Sequence, residues 1–481
     1  MNPAIVWFRD DLRLADNPAL HAAAATKRPL VCVYIHDETT RGQRPLGGAA
    51  RWWLHGSLQA LDEALIQHGG RLTLLQGACA DVVPKVASAV KAHSVYWNRR
   101  YDEMGRKIDA ALEAALTRRK IAVESFNGRL LNEPWTIRNK SGKPFKVFTA
   151  YWRTARASVG DEPPMPPPRN MRFHTLPRSI KPKALSSLRL EPRTPDWAGG
   201  LREHWHRDES SARERLNGFL KNALREYPTD RDRPDRPGTS RLSPYLSFGN
   251  ISPRQIWHAA HEAVRSKRSP ANARQLDKFL AEIGWREFNY HVLYHHPDLA
   301  RRNFQSRFDP LRWRADRRGL RAWQRGQTGY PIVDAGMREL WTTGFMHNRV
   351  RMVAASFLIK HLLIDWRRGE EWFWDTLVDA DPANNPANWQ WVAGCGADAA
   401  PYFRIFNPIL QGEKFDPDGT YVRRWVPELA RLPASIIHKP WTAQPQQLAA
   451  AGVQLGKTYP PPIVDHDKAR HRALLNVRSL A

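Results

Sequence analysis

Short apolar runs alternate with stretches of helical periodicity through residues 1–131, and this alternation constrains the fold more than any other feature. Ile5-Val6-Trp7-Phe8, Leu30 to Ile35, Arg71 to Leu75, Val95 to Trp97 and Ile121 to Phe126 read as strands. Between them, Leu54 to Gln67, Val82 to Ala92 and Ile108 to Leu116 carry apolar residues at helical spacing. A helix between two strands is long enough to carry the chain back to the start of the sheet, so neighbouring strands pair in parallel. The expected fold class is therefore an α/β Rossmann-like domain, a five-stranded parallel sheet with helices on both faces. No GxGxxG follows the first strand, so the usual dinucleotide site is not expected there.

Residues 132–200 have another character. PPMPPPRN at 163–170 cannot lie inside a helix, because proline lacks the amide donor and clashes with the preceding turn. This region reads as a connector. From 201 to 481 helical patterns dominate, with examples at 208–226, 252–265, 271–295, 332–344, 349–365 and 370–378. The expected organisation is thus 1–131, 132–200 and 201–481, the last a large all-helical domain.

No run approaches the ~18 apolar residues a membrane helix needs, and the opening MNPAIVWFRDDLR lacks a secretory apolar core. A cytoplasmic protein is expected. Lys and Arg total 74 against 48 acids, a formal charge of +26, which points to a polyanionic partner. Cys32, Cys79 and Cys395 lie far apart, with no zinc spacing, and read as reduced core residues. Of 20 tryptophans, ten fall between Trp285 and Trp425. Indole packs cores, but it is also easily oxidised and stacks on bases.

Three motifs are set aside. Gly394-Cys395-Gly396-Ala397-Asp398-Ala399 matches GxGxxA but follows no apolar strand. Gly452 to Thr458 has one residue too few for a P-loop. His291 and His295 share a helix face but have no third ligand, so no metal is expected.

Four segments carry more chemistry than a core needs. Gly238-Thr239-Ser240-Arg241-Leu242-Ser243 offers hydroxyls, amides and a cation before a helix, which suits a phosphate or a plain helix start. In Phe279 to Tyr290, Glu282, Trp285 and Arg286 stand at i, i+3 and i+4, hence on one helix face. They can bond a base edge, stack on it and pair a phosphate; an internal salt bridge would also account for them. GFMHNRVRM at 344–352 and DADPANNPANWQW at 379–391, continuing to Arg404, interleave acids, amides, prolines and tryptophans as pocket linings do.

Taken together, GTSRLSPYLSFG, EIGWREF, GYPIVDAGMREL, MHNRVRM, DADPANNPANWQW and PYFRIFNPILQGEKFDPDG resemble the photolyase/cryptochrome family, as does the opening VWFRDDLRLADNPAL. The resemblance spans nearly the whole chain. It implies an α/β antenna domain followed by a helical domain holding FAD. It implies that Tyr227, Thr239, Ser240, Arg241, Leu242, Ser243, Phe279 and Arg286 belong to the flavin site around the phosphates and ribityl chain. Asn348, Arg351, Asp379, Asp381 and Asn385 would surround the isoalloxazine, with Asn385 at flavin N5 and Arg351 paired to Asp379.

The same resemblance implies light-driven repair of cyclobutane pyrimidine dimers in DNA, by electron transfer from excited reduced FAD to a dimer flipped out of the duplex. Glu282, Trp285, Asn348, Arg349, Met352 and Trp391 match the dimer cavity, with Arg231 on its rim. Glu282 would bond the dimer's carbonyls. Trp389, Trp366 and Trp313 match a relay that recharges the flavin. Asn348 and Met352 stand where the (6-4) branch has histidines, which favours pyrimidine dimers. Pro386-Ala387-Asn388 before Trp389 resembles the class III bacterial branch more than class I. Met104 and Gly105 replace the amide and acid of the class I folate site, yet class III kinship keeps 5,10-methenyltetrahydrofolate as the expected antenna. A monomer acting on DNA, associated with the nucleoid when bound, is expected. The alternatives are (6-4) repair and a blue-light receptor that signals through a protein partner without repair.

Overall fold

A computed structural model describes residues 1–478. The five expected strands are present as β1 (Ala4–Phe8), β2 (Leu30–His36), β3 (Leu72–Gln76), β4 (Ser94–Asn98) and β5 (Ala122–Phe126). They form one parallel sheet in the order β3-β2-β1-β4-β5. Every residue of β1 and β2 is buried, as both faces of a helix-covered sheet require. On one face Ile5, Trp7, Val33, Val95 and Trp97 share a core with Val83 and Val86 of the helix Cys79–Ala89 and with Leu112 and Leu116 of the helix Glu103–Arg118. The helices Pro18–Ala25 and Gly48–Gln67 are buried through Ala19, Leu20, Trp52, Trp53, Leu58 and Leu61.

The chain divides into two compact units. One comprises residues 1–224 and 240–297, so several helices of the expected helical domain belong with the sheet; the other comprises 225–239 and 298–481. Within 132–200 the chain forms a helix, Phe148–Ala157, and the 3-10 turn Leu185–Leu188. The first unit also holds the helices Glu209–Asn222, Ser243–Ser247, Pro253–Arg265 and Ala273–His295. Asn272 and Gln275 close the last of these with a capping box.

In the second unit the helices Pro331–Thr343, Asn348–Ser356, Trp366–Thr376 and Asn384–Ala393 surround a core that includes Trp323, Met346, Phe357, Trp366, Phe373 and Trp389. The helix expected over 349–365 does not run through. Its regular turns end at Ser356, a π-turn follows over Phe357–His361, and Leu363 is left-handed at φ 53°. Two buried polar side chains there make bonds to distant segments: Lys360 donates to the Arg404 carbonyl (2.9 Å) and His361 bonds His466 (2.8 Å). Such bonds override a continuing apolar period.

The rejected motifs have structural uses. Gly394 (φ 87°) and Gly452 (φ 72°) each end a helix in the left-handed conformation that glycine adopts at least cost. His291 is engaged on both ring nitrogens, with the Pro134 carbonyl and the Phe145 amide. Burial lowers its pKa to about 4, which keeps it neutral. All three cysteines are free and buried. Among the described residues no helix is long and apolar enough to cross a membrane.

Candidate flavin and lesion site

In the first unit the site residues concentrate on the helix Ala273–His295. Phe279 is buried against Phe219 (4.7 Å between ring centroids). Glu282 and Trp285 are half-buried. Arg286 is buried and spends Nη1 on the Arg129 carbonyl (2.8 Å) and on Glu287 (3.4 Å). Among the described residues its Nε and Nη2 are buried without a hydrogen-bond partner, and the guanidinium lies 4.9 Å from the centroid of the Tyr290 ring. A buried donor left unpaired costs roughly 1–3 kcal/mol, more when charged.

Glu287 is not a full counter-charge. It is fully enclosed, and burial raises its pKa to about 7 even though Arg286 and the amides of Leu131 and Asn132 oppose the rise. Ser240, Arg241 and Leu242 precede the helix Ser243–Ser247. Arg241 is left-handed (φ 52°), and its guanidinium lies 5.7 Å from the centroid of the Trp205 ring.

In the second unit Tyr227 opens the short helix Tyr227–Asp230 and is buried, and Arg231 sits 5.4 Å over its ring. Thr239 ends the same segment. Asn348, Arg349, Arg351 and Met352 lie on the helix Asn348–Ser356. Asn348 is exposed and Met352 half-buried. Arg349 is held by Asp232 (2.8 Å) and by the Phe415 ring (4.4 Å). The expected pair is present: Arg351 grips Asp379 through two parallel bonds of 3.1 and 2.9 Å, and its Nε donates to the Met346 carbonyl.

Asp381 accepts from the amides of Ala383 and Asn384, which starts the helix carrying Asn385, Trp389 and Trp391. The Asn385 amide nitrogen donates to the backbone carbonyl (3.0 Å) and the carboxylate (2.8 Å) of buried Glu370. Both partners are acceptors, which fixes the amide: its carbonyl oxygen points away from Glu370 and is left to accept. Glu370 was not anticipated from the sequence; nothing local distinguishes it from other helix glutamates. Asp232, in the turn after the helix Tyr227–Asp230, was not singled out from the sequence either.

Trp389 and Trp366 are buried in the core of this unit, and Trp313 packs against it partly exposed. The nearest rings to Trp389 are Phe373 (5.0 Å) and Trp323 (6.1 Å). Trp366 donates to Asn303 (2.9 Å) and lies under the Arg367 guanidinium (4.7 Å). Trp391 is half-buried on the helix Asn384–Ala393.

Residues 279–479 match the FAD binding domain of DNA photolyase, and residues 4–169 match the DNA photolyase domain. A deoxyribodipyrimidine photo-lyase of Agrobacterium fabrum is 52% identical over 474 residues, covering 98% of this chain and 97% of that protein.

The chain belongs to the photolyase/cryptochrome family.

Within that family it is also 38% identical to cryptochrome-1 of Arabidopsis thaliana, over 98% of this chain and 69% of the cryptochrome. Among solved structures, a bacterial class III photolyase from Agrobacterium tumefaciens superposes with a TM-score of 0.95 at 51% identity, covering all of this chain and 98% of that one. A Synechocystis cryptochrome superposes at 0.87 with 30% identity, over all of this chain and 99% of that one. The expected α/β sheet domain and helical FAD-binding region are thus those of the family.

Proposed function

We propose that this chain uses blue light to split cyclobutane pyrimidine dimers in DNA, as a photolyase of the class III kind with FAD as its cofactor. The observation that carries the reading lies on one helix, Ala273–His295. It presents a buried cation with two nitrogens lacking an acceptor and, within one turn, a part-exposed carboxyl and indole. When bound, FAD supplies the electron that opens the cyclobutane ring and takes it back afterwards.

The protein's share is binding, orientation and electrostatics. Arg286 offers Nε and Nη2 to the cofactor's diphosphate, in the forked geometry that suits phosphate oxygens. Tyr227 and Thr239 to Ser243 complete the phosphate and ribityl contacts. With its nitrogen held by Glu370, Asn385 would offer its carbonyl oxygen to the flavin ring. Arg351 and Asp379 would border the isoalloxazine as a closed ion pair, which supplies a dipole rather than a free charge. Trp285 stacks on the flipped dimer, and Glu282 bonds its carbonyls. A bond to a group gaining negative charge strengthens as the reaction proceeds, which is what lowers a barrier. Arg231 and Arg349 hold the flanking phosphates. Trp389, Trp366 and Trp313 would supply an easily oxidised path between the partly exposed Trp313 and the bound cofactor.

The antenna proposed is 5,10-methenyltetrahydrofolate in a mode other than that of class I. At Gly105 a side chain would come within 2.5 Å of Arg100 Cβ and 2.9 Å of Asp102, so no acid fits there. A near-ultraviolet absorption shoulder that fades on bleaching tests this.

The main test is repair of an oligonucleotide carrying one dimer, with chemically reduced protein under blue light. Repair in the light and none in the dark is expected. Binding without repair would make the chain a receptor. Glu282→Ala should lower the quantum yield several-fold with FAD content kept; a full yield would remove Glu282 from the mechanism.

A further inference from the structure

The helix Phe148–Ala157 lies in the region that the sequence presents as a connector, yet it is built against the helix that carries Glu282, Trp285 and Arg286. Phe148 lies parallel to the Trp285 indole, 3.8 Å between centroids and 8° between planes. Phe288 closes the group edge-on, at 6.1 Å from Phe148 and 5.9 Å from Trp285.

One turn along, Trp152 rests on Gly284, where a side-chain carbon would come within 2.5 Å of its ring. Residues four apart share a helix face, so Phe148 and Trp152 together seat this helix on the Gly284-Trp285 dipeptide. Trp152 is held in turn by Trp257, edge-on at 6.1 Å. Trp285 nevertheless stays half-buried.

We propose that Phe148 is a positioning residue for lesion recognition: it covers one face of Trp285 and fixes the plane of the other, against which the dimer packs. This rests on the reading that Trp285 meets the dimer. A part-exposed indole on its own samples several rotamers, and binding must then bear the cost of fixing one. A ring packed flat against it removes that cost beforehand by excluding the other rotamers. Gly284 has the steric role of admitting Trp152, which sets the height of the support.

The experiment measures affinity for a dimer-containing and an intact oligonucleotide in Phe148→Ala, Trp285→Ala and the double variant, with FAD content as the check on folding. Phe148→Ala should weaken dimer binding several-fold, leave intact DNA and FAD content unchanged, and add nothing in the Trp285→Ala background. Phe148→Tyr, which keeps the flat ring, should bind as the natural chain does. If Phe148→Ala holds less FAD, Phe148→Leu takes its place in the same comparison, since it keeps bulk without a flat face. Undiminished dimer binding, or an equal loss with and without Trp285, would overturn the inference. Undiminished dimer binding in Trp285→Ala would instead overturn the underlying role of Trp285.

Discussion

Two arginines on two helices, one in each unit, show how differently the same side chain can be used. Arg351 is closed: two bonds go to Asp379 and the third to the Met346 carbonyl. Arg286 is open: Nη1 is occupied, while Nε and Nη2 are buried with no hydrogen-bond partner among the described residues. Leaving a charge uncompensated away from water costs several kcal/mol, whereas a bidentate pair in good geometry largely offsets its own desolvation. On the proposed reading, the open arginine receives the cofactor's diphosphate. The closed one, on the same reading, adds a dipole beside the cofactor. The family resemblance implies both roles, and the bonds around each side chain give the physical reason for the difference.

The largest expected effect follows from that contrast. Arg286→Ala removes the open cation and should weaken FAD binding by at least on the order of a hundredfold, since two charge-assisted bonds are lost. Purified protein would then be nearly flavin-free, measured as flavin absorbance relative to protein absorbance. Retention of FAD would mean that the two free nitrogens serve another anion.

Trp389→Phe probes the second unit, where the proposed work is electron traffic rather than phosphate binding. It should keep FAD bound, block photoreduction of the oxidised cofactor, and spare repair by chemically reduced protein. Phenylalanine preserves most of the packing against Phe373 and Trp323 but is far harder to oxidise. Photoreduction at the natural rate would assign the electron's entry to another route.

The smallest effect concerns Glu287, the imperfect partner of Arg286. Burial lifts its pKa to about 7 from an ordinary 4.5. A raised folded value means that its contribution to stability is fully present below pH 4.5 and is lost as pH rises through 7. Glu287→Gln, which can still accept from the Leu131 amide, should flatten the pH dependence of Tm across that window and raise Tm by a few degrees at pH 8 in flavin-free protein. An unchanged pH profile would show that the carboxyl is ionised throughout.

Much of the fold was legible because it depends on local period. Five apolar runs and the helical spacings between them gave the parallel sheet, and each strand boundary lies within a residue of where the pattern stops. The one long helix that misled, over 349–365, did so where Lys360 and His361 find partners far along the chain. The motif set likewise located the helix bearing Glu282, Trp285 and Arg286, and it anticipated the Arg351–Asp379 pair.

What the tertiary structure alone decided is which side chain completes which. Glu370 turns the amide of Asn385 and Phe148 backs Trp285. Arg286 keeps two free nitrogens because Arg129 and Glu287 take only one. Each of these depends on segments distant in sequence or on the absence of a neighbour. Periodicity records which face of an element turns inward. It carries no information about what waits there, because that is set by the packing of the whole chain.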